Sequence, residues 1–162
     1  MTAQPTIKDK LAADLKAAMI AKDAQRLTVI RALKSVITYA EVAAGAPADG
    51  LDDDAIITLF ARESKKRQES ADLYVRGGAQ DRADAELAEK AIIDEYLPAQ
   101  FSETELLALI DEVAATVGAS SPAQMGQVIG AVKARAGASA DGSLIARLVK
   151  ERLNSQSSGG VQ

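Results

Sequence analysis

Large apolar residues recur along this chain every three to four positions, the spacing of one helix face, and no segment shows the period-two alternation of a half-buried strand. Thr6, with Asp9 three residues on, reads as a capping signature. It opens a helix whose inward stripe is Ile7, Leu11, Leu15 and Ala18/Met19. Asp23 caps a second helix over about 24–43, with Leu27, Ile30, Leu33, Val36/Ile37 and Ala40 inward. The segment from Gly45 to Gly50 has the Gly, Pro and Asp content of a loop. A third helix follows Asp52, carries Ile56, Leu59/Phe60 and Leu73/Tyr74 on its apolar side, and stops at Gly77-Gly78. Its middle, residues 61–72, has almost no large apolar side chain, so it projects beyond the core or faces a partner. A fourth helix over about 81–96 turns Leu87, Ala91, Ile92 and Tyr96/Leu97 inward and ends at Pro98.

Three shorter helices follow. Ser102 with Glu105 is a capping box before the stripe Leu106, Leu109/Ile110, Val113 and Val117, which Gly118 closes. Ser121-Pro122-Ala123-Gln124 starts a helix with Met125, Val128/Ile129 and Val132 inward. Gly126 and Gly130, one turn apart, suggest close helix packing, because an interior helical glycine costs about 1 kcal/mol relative to alanine. After a loop over residues 137–142, Asp141 caps the last helix, with Leu144/Ile145, Leu148/Val149 and Leu153 inward. The expected fold is all-α: an N-terminal four-helix domain, residues 1–98, then a small three-helix domain, residues 99–154. The polar, Gly/Ser-rich segment 155–162 reads as a disordered tail.

Composition narrows the chemistry. Among 162 residues there is no Cys, no His and no Trp, and aromatic residues make up only 3%, so the core must be aliphatic. Disulfides, cysteine nucleophiles, Cys/His zinc sites and imidazole bases are excluded by the absence of their atoms. Di-metal bundle sites need Glu-x-x-His and fail for the same reason. There is no Walker A motif and no G-x-G-x-x-G. No catalytic residue, cofactor or metal is expected. Charges at Lys8, Asp9, Lys10, Asp14 and Lys16 interrupt any signal-peptide core, and no stretch approaches the ~18 apolar residues of a bilayer span. The expectation is a cytoplasmic protein with no membrane contact.

A net charge of −4 gives no overall attraction to nucleic acid. Charge is nevertheless unevenly placed. Residues 101–132 carry Glu103, Glu105, Asp111 and Glu112 and no base, whereas residues 133–154 carry Lys133, Arg135, Arg147, Lys150 and Arg152 against Asp141 and Glu151. This basic corner surrounds a glycine-bearing loop, a combination able to hold phosphate. A second charged tract, Arg62 to Glu69, includes Lys66 and Arg67 and reads either as a cationic ridge or as a solvated face laced by Glu63–Arg67, Lys65–Glu69 and Asp72–Arg76 pairs.

Taken in order, Leu27-Thr28-Val29-Ile30-Arg31, Glu63 with Lys66-Arg67, Ser70, Tyr74, Glu86, Glu89, Tyr96-Leu97-Pro98, Met125-Gly126, Val128, Ala140-Asp141-Gly142 and Leu148-Val149-Lys150 resemble the GatB/YqeY family from Ile7 to about Leu153. The resemblance implies an N-terminal helical domain joined to a module similar to the tail of the tRNA-dependent amidotransferase B subunit. In that enzyme the tail contacts tRNA, while the kinase and amidase chemistry lies in other domains and subunits. The label often attached to the family, carbon–nitrogen ligase with glutamine as amido donor, descends from the larger enzyme. Gln124, Ser139 and Ala79 stand where the family has Asp, Arg and Arg, and each lost Arg removes a bidentate phosphate contact. The expected function is a non-catalytic adaptor for tRNA or a tRNA-dependent amidotransferase or aminoacyl-tRNA enzyme. Contacts would come from Lys133, Arg135, Arg147, Lys150 and Arg152, with Lys66 and Arg67. The alternative is a protein–protein module with no RNA contact.

Overall fold

In a computed structural model, which describes residues 3–45 and 47–158, the chain is all-α, with no strand among the described residues. It divides into two compact units, one ending at Leu97 and the other starting at Pro98. In the first unit, α1 (Ile7–Ala21) starts on the expected capping box: the Thr6 hydroxyl accepts from Asp9 N–H and the Asp9 carboxylate accepts from Thr6 N–H. Asp23 caps α2 (Ala24–Ala43), and Asp52 caps α3 (Asp53–Arg76) by accepting from Ala55 N–H. The hairpin partner of α3 is α4 (Gln80–Asp94). Within the expected loop at 45–50, Ala46 lies outside the described residues.

Leu11 and Ala18 of α1, Val29, Ile30, Leu33 and Ile37 of α2, Ile56 and Phe60 of α3, and Ile92, Ile93 and Tyr96 form one core. Each large side chain in it gains about 1.5–3 kcal/mol by leaving water. This core ends at Phe60 on α3 and Ile92 on α4. Farther out, the buried residues of the two helices are the small Ser64, Ala71 and Ala83, none of them part of that core. Since α3 has 24 residues, about 36 Å of helix, a two-helix arm results.

Four expected inward positions are corrected. Leu73 is 64% exposed, Leu87 39% and Met19 56%, and Ala91 is also exposed. On the arm the buried positions belong to the small residues Ser64, Ala71 and Ala83 and the leucines are left to solvent, while on α1 Ala18 rather than Met19 is buried.

In the second unit, α5 (Glu103–Val117) begins on the Ser102/Glu105 capping box and ends at Gly118 with φ 70°. A 3₁₀ turn at Pro122–Gln124 leads into α6 (Met125–Ala136), and another at Gly137–Ser139 precedes α7 (Gly142–Ser158). Leu106, Ile110, Val113, Val128, Val132, Ile145, Leu148, Val149 and Leu153 form this unit's own core. The Ser121 side chain makes no cap; instead the Gln124 amide oxygen accepts from Ser120 N–H at 2.9 Å. Residues 155–158 are not a disordered tail. They complete α7, with Ser155, Ser157 and Ser158 hydroxyls donating to carbonyls about one turn back, at 2.8–3.1 Å. The rest of the expected tail, 159–162, lies outside the described residues, as do Met1 and Thr2.

Candidate nucleic-acid or partner interface

The five basic residues of the second unit lie on α6 and α7, but three are already engaged. The Arg152 guanidinium forks onto Asp111 of α5, with Nε at 2.6 Å from Oδ1 and Nη2 on Oδ2. That hydrogen-bonded carboxylate raises the guanidinium above its ordinary value. Arg135 meets Glu112 at 3.1 Å, and Arg147 meets Glu151 at 3.2 Å and Glu103 at 3.7 Å. The acidic α5 and the basic α6–α7 segments thus face each other, and the basic corner is largely neutralised inside the unit. These pairs are exposed, so each stabilises by no more than about 1 kcal/mol.

Lys133 and Lys150 remain exposed and without an ion pair among the described residues. The end of the Lys133 side chain lies against Gly142: a Cβ there would stand 3.0 Å from Lys133 Cε and 3.3 Å from Nζ. Lys150 is two turns farther along α7, about 12 Å by helical rise.

The loop between α6 and α7 is not an open phosphate cradle. Phe101 N–H donates to Ser139 O at 2.8 Å, and the Gln100 side chain donates to Ala138 O at 3.2 Å, which pins the loop to the entrance of α5. The Asp141 carboxylate accepts from Ser143 N–H at 2.8 Å, so an acidic side chain of the chain itself serves the positive end of α7.

Gly126 and Gly130 depart from the expectation of close packing. Both are exposed, and a Cβ at either would meet nothing within 4 Å. With the exposed Ala134 and Gly137 they run along the outer side of α6, which is nearly bare backbone and leads to Lys133.

In the first unit, Arg67 is no part of a free ridge. It crosses the arm to Glu86 at 3.1 Å and Glu89 at 2.7 Å rather than pairing with Glu63. Glu63 instead takes Lys66 at 2.8 Å, and Gln68 donates to Asp72 at 3.0 Å. On α4, Lys90 pairs with Asp94 at 2.6 Å, and the Ser64 hydroxyl donates to the same carboxylate. Arg82 lies 5.9 Å from the Tyr74 ring centroid. Lys66 and Arg67 therefore serve different tasks: one is a surface cation paired within its own turn, the other a clamp between α3 and α4. Neither clamp nor neutralising pairs were visible in the sequence, which relates charges only along one helix.

Among the described residues no single helix is long and apolar enough to cross a bilayer. Residues 8–153 match the family described as "Yqey-like protein". Among curated proteins, the chain is similar to "Altered inheritance of mitochondria protein 41, mitochondrial" of Lachancea thermotolerans, at 34% identity over 112 residues, which are 67% of this chain and 58% of the relative. The chain thus spans less than two thirds of that relative's length.

Proposed function

The chain belongs to the Yqey-like protein family, and from that premise we propose a non-catalytic adaptor that engages tRNA, or a tRNA-bound amidotransferase or aminoacyl-tRNA enzyme, through its C-terminal unit. The observation that carries this reading is the bare outer side of α6 at Gly126 and Gly130 running into Lys133, with Lys150 on α7 as the second cation without an ion pair among the described residues. Exposed helical glycine costs stability without any packing return inside the chain, and it lets a partner's backbone come close. Two exposed ammonium groups supply attraction to phosphate without base readout. The carbon–nitrogen ligase label of the family is read as belonging to the larger enzyme, since a chain with no Cys and no His lacks the usual activated nucleophiles. We take the cytoplasm as the working compartment; the mitochondrial name is that of the relative.

The test is a titration of bulk tRNA into the whole protein at two salt concentrations. Wild type is expected to bind with a slope of log affinity against log salt near about −2, for two phosphate contacts, and Lys133→Gln with Lys150→Gln flattens it. No retention of tRNA at low salt overturns the reading. The second reading, a protein–protein module with no RNA contact, is favoured by the pairing of Arg135, Arg147 and Arg152 with acidic residues. Recovery of an amidotransferase subunit from nuclease-treated extract, with no tRNA binding, selects it.

A further inference from the structure

We propose that the outward side of α2 is a docking seam for an acidic amphipathic helix of a partner protein. The buried side of α2 is Val29, Ile30, Leu33 and Ile37. A second stripe, Thr28, Ala32, Ser35, Tyr39 and Val42, advances by alternating steps of four and three residues, the spacing of a coiled-coil seam. Every member is exposed, with Tyr39 at 76% and Val42 at 67%.

This stripe is drier than its composition suggests. The Thr28 hydroxyl donates to Ala24 O at 2.9 Å and the Ser35 hydroxyl to Arg31 O at 3.1 Å, and Thr38 beside them donates to Lys34 O at 3.0 Å. Each of these three hydroxyl donors is thus satisfied by its own helix, and a covering helix strands none of the three. Small residues at Thr28, Ala32 and Ser35 permit close approach, and the Tyr39 ring and Val42 supply an anchor at one end.

Charge selects the partner. Between Asp23 and Glu41, α2 carries Arg26, Arg31 and Lys34 and no acid. Arg26 is taken by Glu95 and Glu41 by Lys8, which leaves Arg31 and Lys34 with no ion pair among the described residues. Arg31 precedes Ala32, the flanking position from which a charge meets the facing helix. A partner with carboxylates beside its seam complements this face; a second copy of α2 brings the same cations and no acid. Nucleic acid is disfavoured because only Arg31 flanks the strip, with Lys34 farther round α2, which is too few cations to track a phosphate backbone.

The experiment follows backbone amides of the isotope-labelled full chain by NMR while adding a designed helical peptide of about three heptads with Ala/Leu seams and Glu flanks. The expected result is shifts at residues 28–43 that a Lys-flanked peptide does not reproduce. Tyr39→Ala with Val42→Ser weakens binding about tenfold or more, and Arg31→Glu with Lys34→Glu transfers preference to the Lys-flanked peptide. All four positions are exposed, so folding is not at stake. Equal response to both peptides, no response on α2, shifts there on dilution alone, or displacement of the peptide by bulk tRNA each overturns the proposal. Amides of α6 and α7 report on the adaptor reading separately, so either can fail alone.

Discussion

The phenol of Tyr96 donates a hydrogen bond to the carboxylate of Asp14, tying the last residues of the N-terminal unit to its first helix across 82 positions of sequence. The same ring stands edge-on to Phe60, with centroids 6.0 Å apart, and carries the Lys10 ammonium 4.7 Å from its centroid. One residue earlier, Glu95 accepts both arms of Arg26 from the start of α2, and its carbonyl accepts from Lys10 at 3.1 Å. Helices far apart in sequence therefore converge on residues 95–96. Tyr96→Phe keeps the ring and removes the donor, so it is expected to destabilise the unit by about 1–2 kcal/mol. Tyr96→Ala also opens a cavity and costs about 3–5 kcal/mol. Urea unfolding of both variants checks the difference.

Gly50 is held at φ 72°, and a Cβ there would collide with the paired Lys8 ammonium and Glu41 carboxylate. The Glu41 carboxylate also accepts from Leu51 N–H at 3.0 Å, fixing the chain as it approaches α3. Gly50→Ala must therefore strain the backbone and displace the pair. An expected loss of about 1–3 kcal/mol in thermal or urea unfolding follows, with faster hydrogen exchange at the start of α3.

Local signals were the legible part of this fold. Thr6 with Asp9, Asp23, Asp52, Ser102 with Glu105, and Gly118 each mark a helix end through a bond within a few residues, and each end stands where the sequence puts it. What depends on a neighbouring helix was not legible. Apolar spacing alone could not tell that Leu73 and Leu87 are exposed while the small residues Ala71 and Ala83 are buried. Likewise, Arg67 has an acid at i−4, yet its partners lie 19 and 22 positions on, at Glu86 and Glu89. The candidate interface suffered most, because the basic corner was read from α6 and α7 while Asp111, Glu112 and Glu103 on α5 neutralise much of it.

The arm gives a steric prediction. Ala83 is fully buried between α3 and α4, where the apolar core no longer supports the pair. Ala83→Leu is expected to force the helices apart at a cost of about 1–3 kcal/mol. Hydrogen exchange should quicken over residues 66–90 while the core around Ile30 and Phe60 stays protected. Uniform loss of protection across the unit would show instead that arm and core open together.

Gly126 and Gly130 oppose stability to contact. Since nothing beyond the helix's own adjacent backbone lies within 4 Å of either added Cβ, Gly126→Ala and Gly130→Ala each should stabilise α6 by up to about 1 kcal/mol, read as a higher melting temperature. On the adaptor reading the same methyl groups keep the partner's backbone away, so tRNA affinity falls as stability rises. Stabilisation with unchanged tRNA affinity would remove this side of α6 from the interface.

Glu95, Tyr96 and, at the approach to α3, Glu41 give the N-terminal unit a pH dependence of stability. Hydrogen bonding to Arg26 holds the Glu95 carboxyl below its ordinary 4.5, and Lys8 does the same for Glu41. Both carboxyls bind protons more readily unfolded than folded, so their contribution is complete above about pH 5 and is lost as pH falls below 4.5. Tyr96 works at the other end. Burial first, then the hydrogen bond to Asp14, pushes its phenol well above the ordinary 10.0. Its contribution is complete below pH 10 and is lost as pH rises beyond it, because the unfolded chain surrenders that proton first. Stability of residues 3–97 against urea should therefore be level from about pH 5 to 9 and fall on both sides. Arg26→Gln should flatten the acid fall, and Tyr96→Phe the alkaline one. Subtracting the ultraviolet titration of Tyr96→Phe from that of wild type isolates the phenol, and a step at or below pH 10.0 would contradict its burial against Asp14.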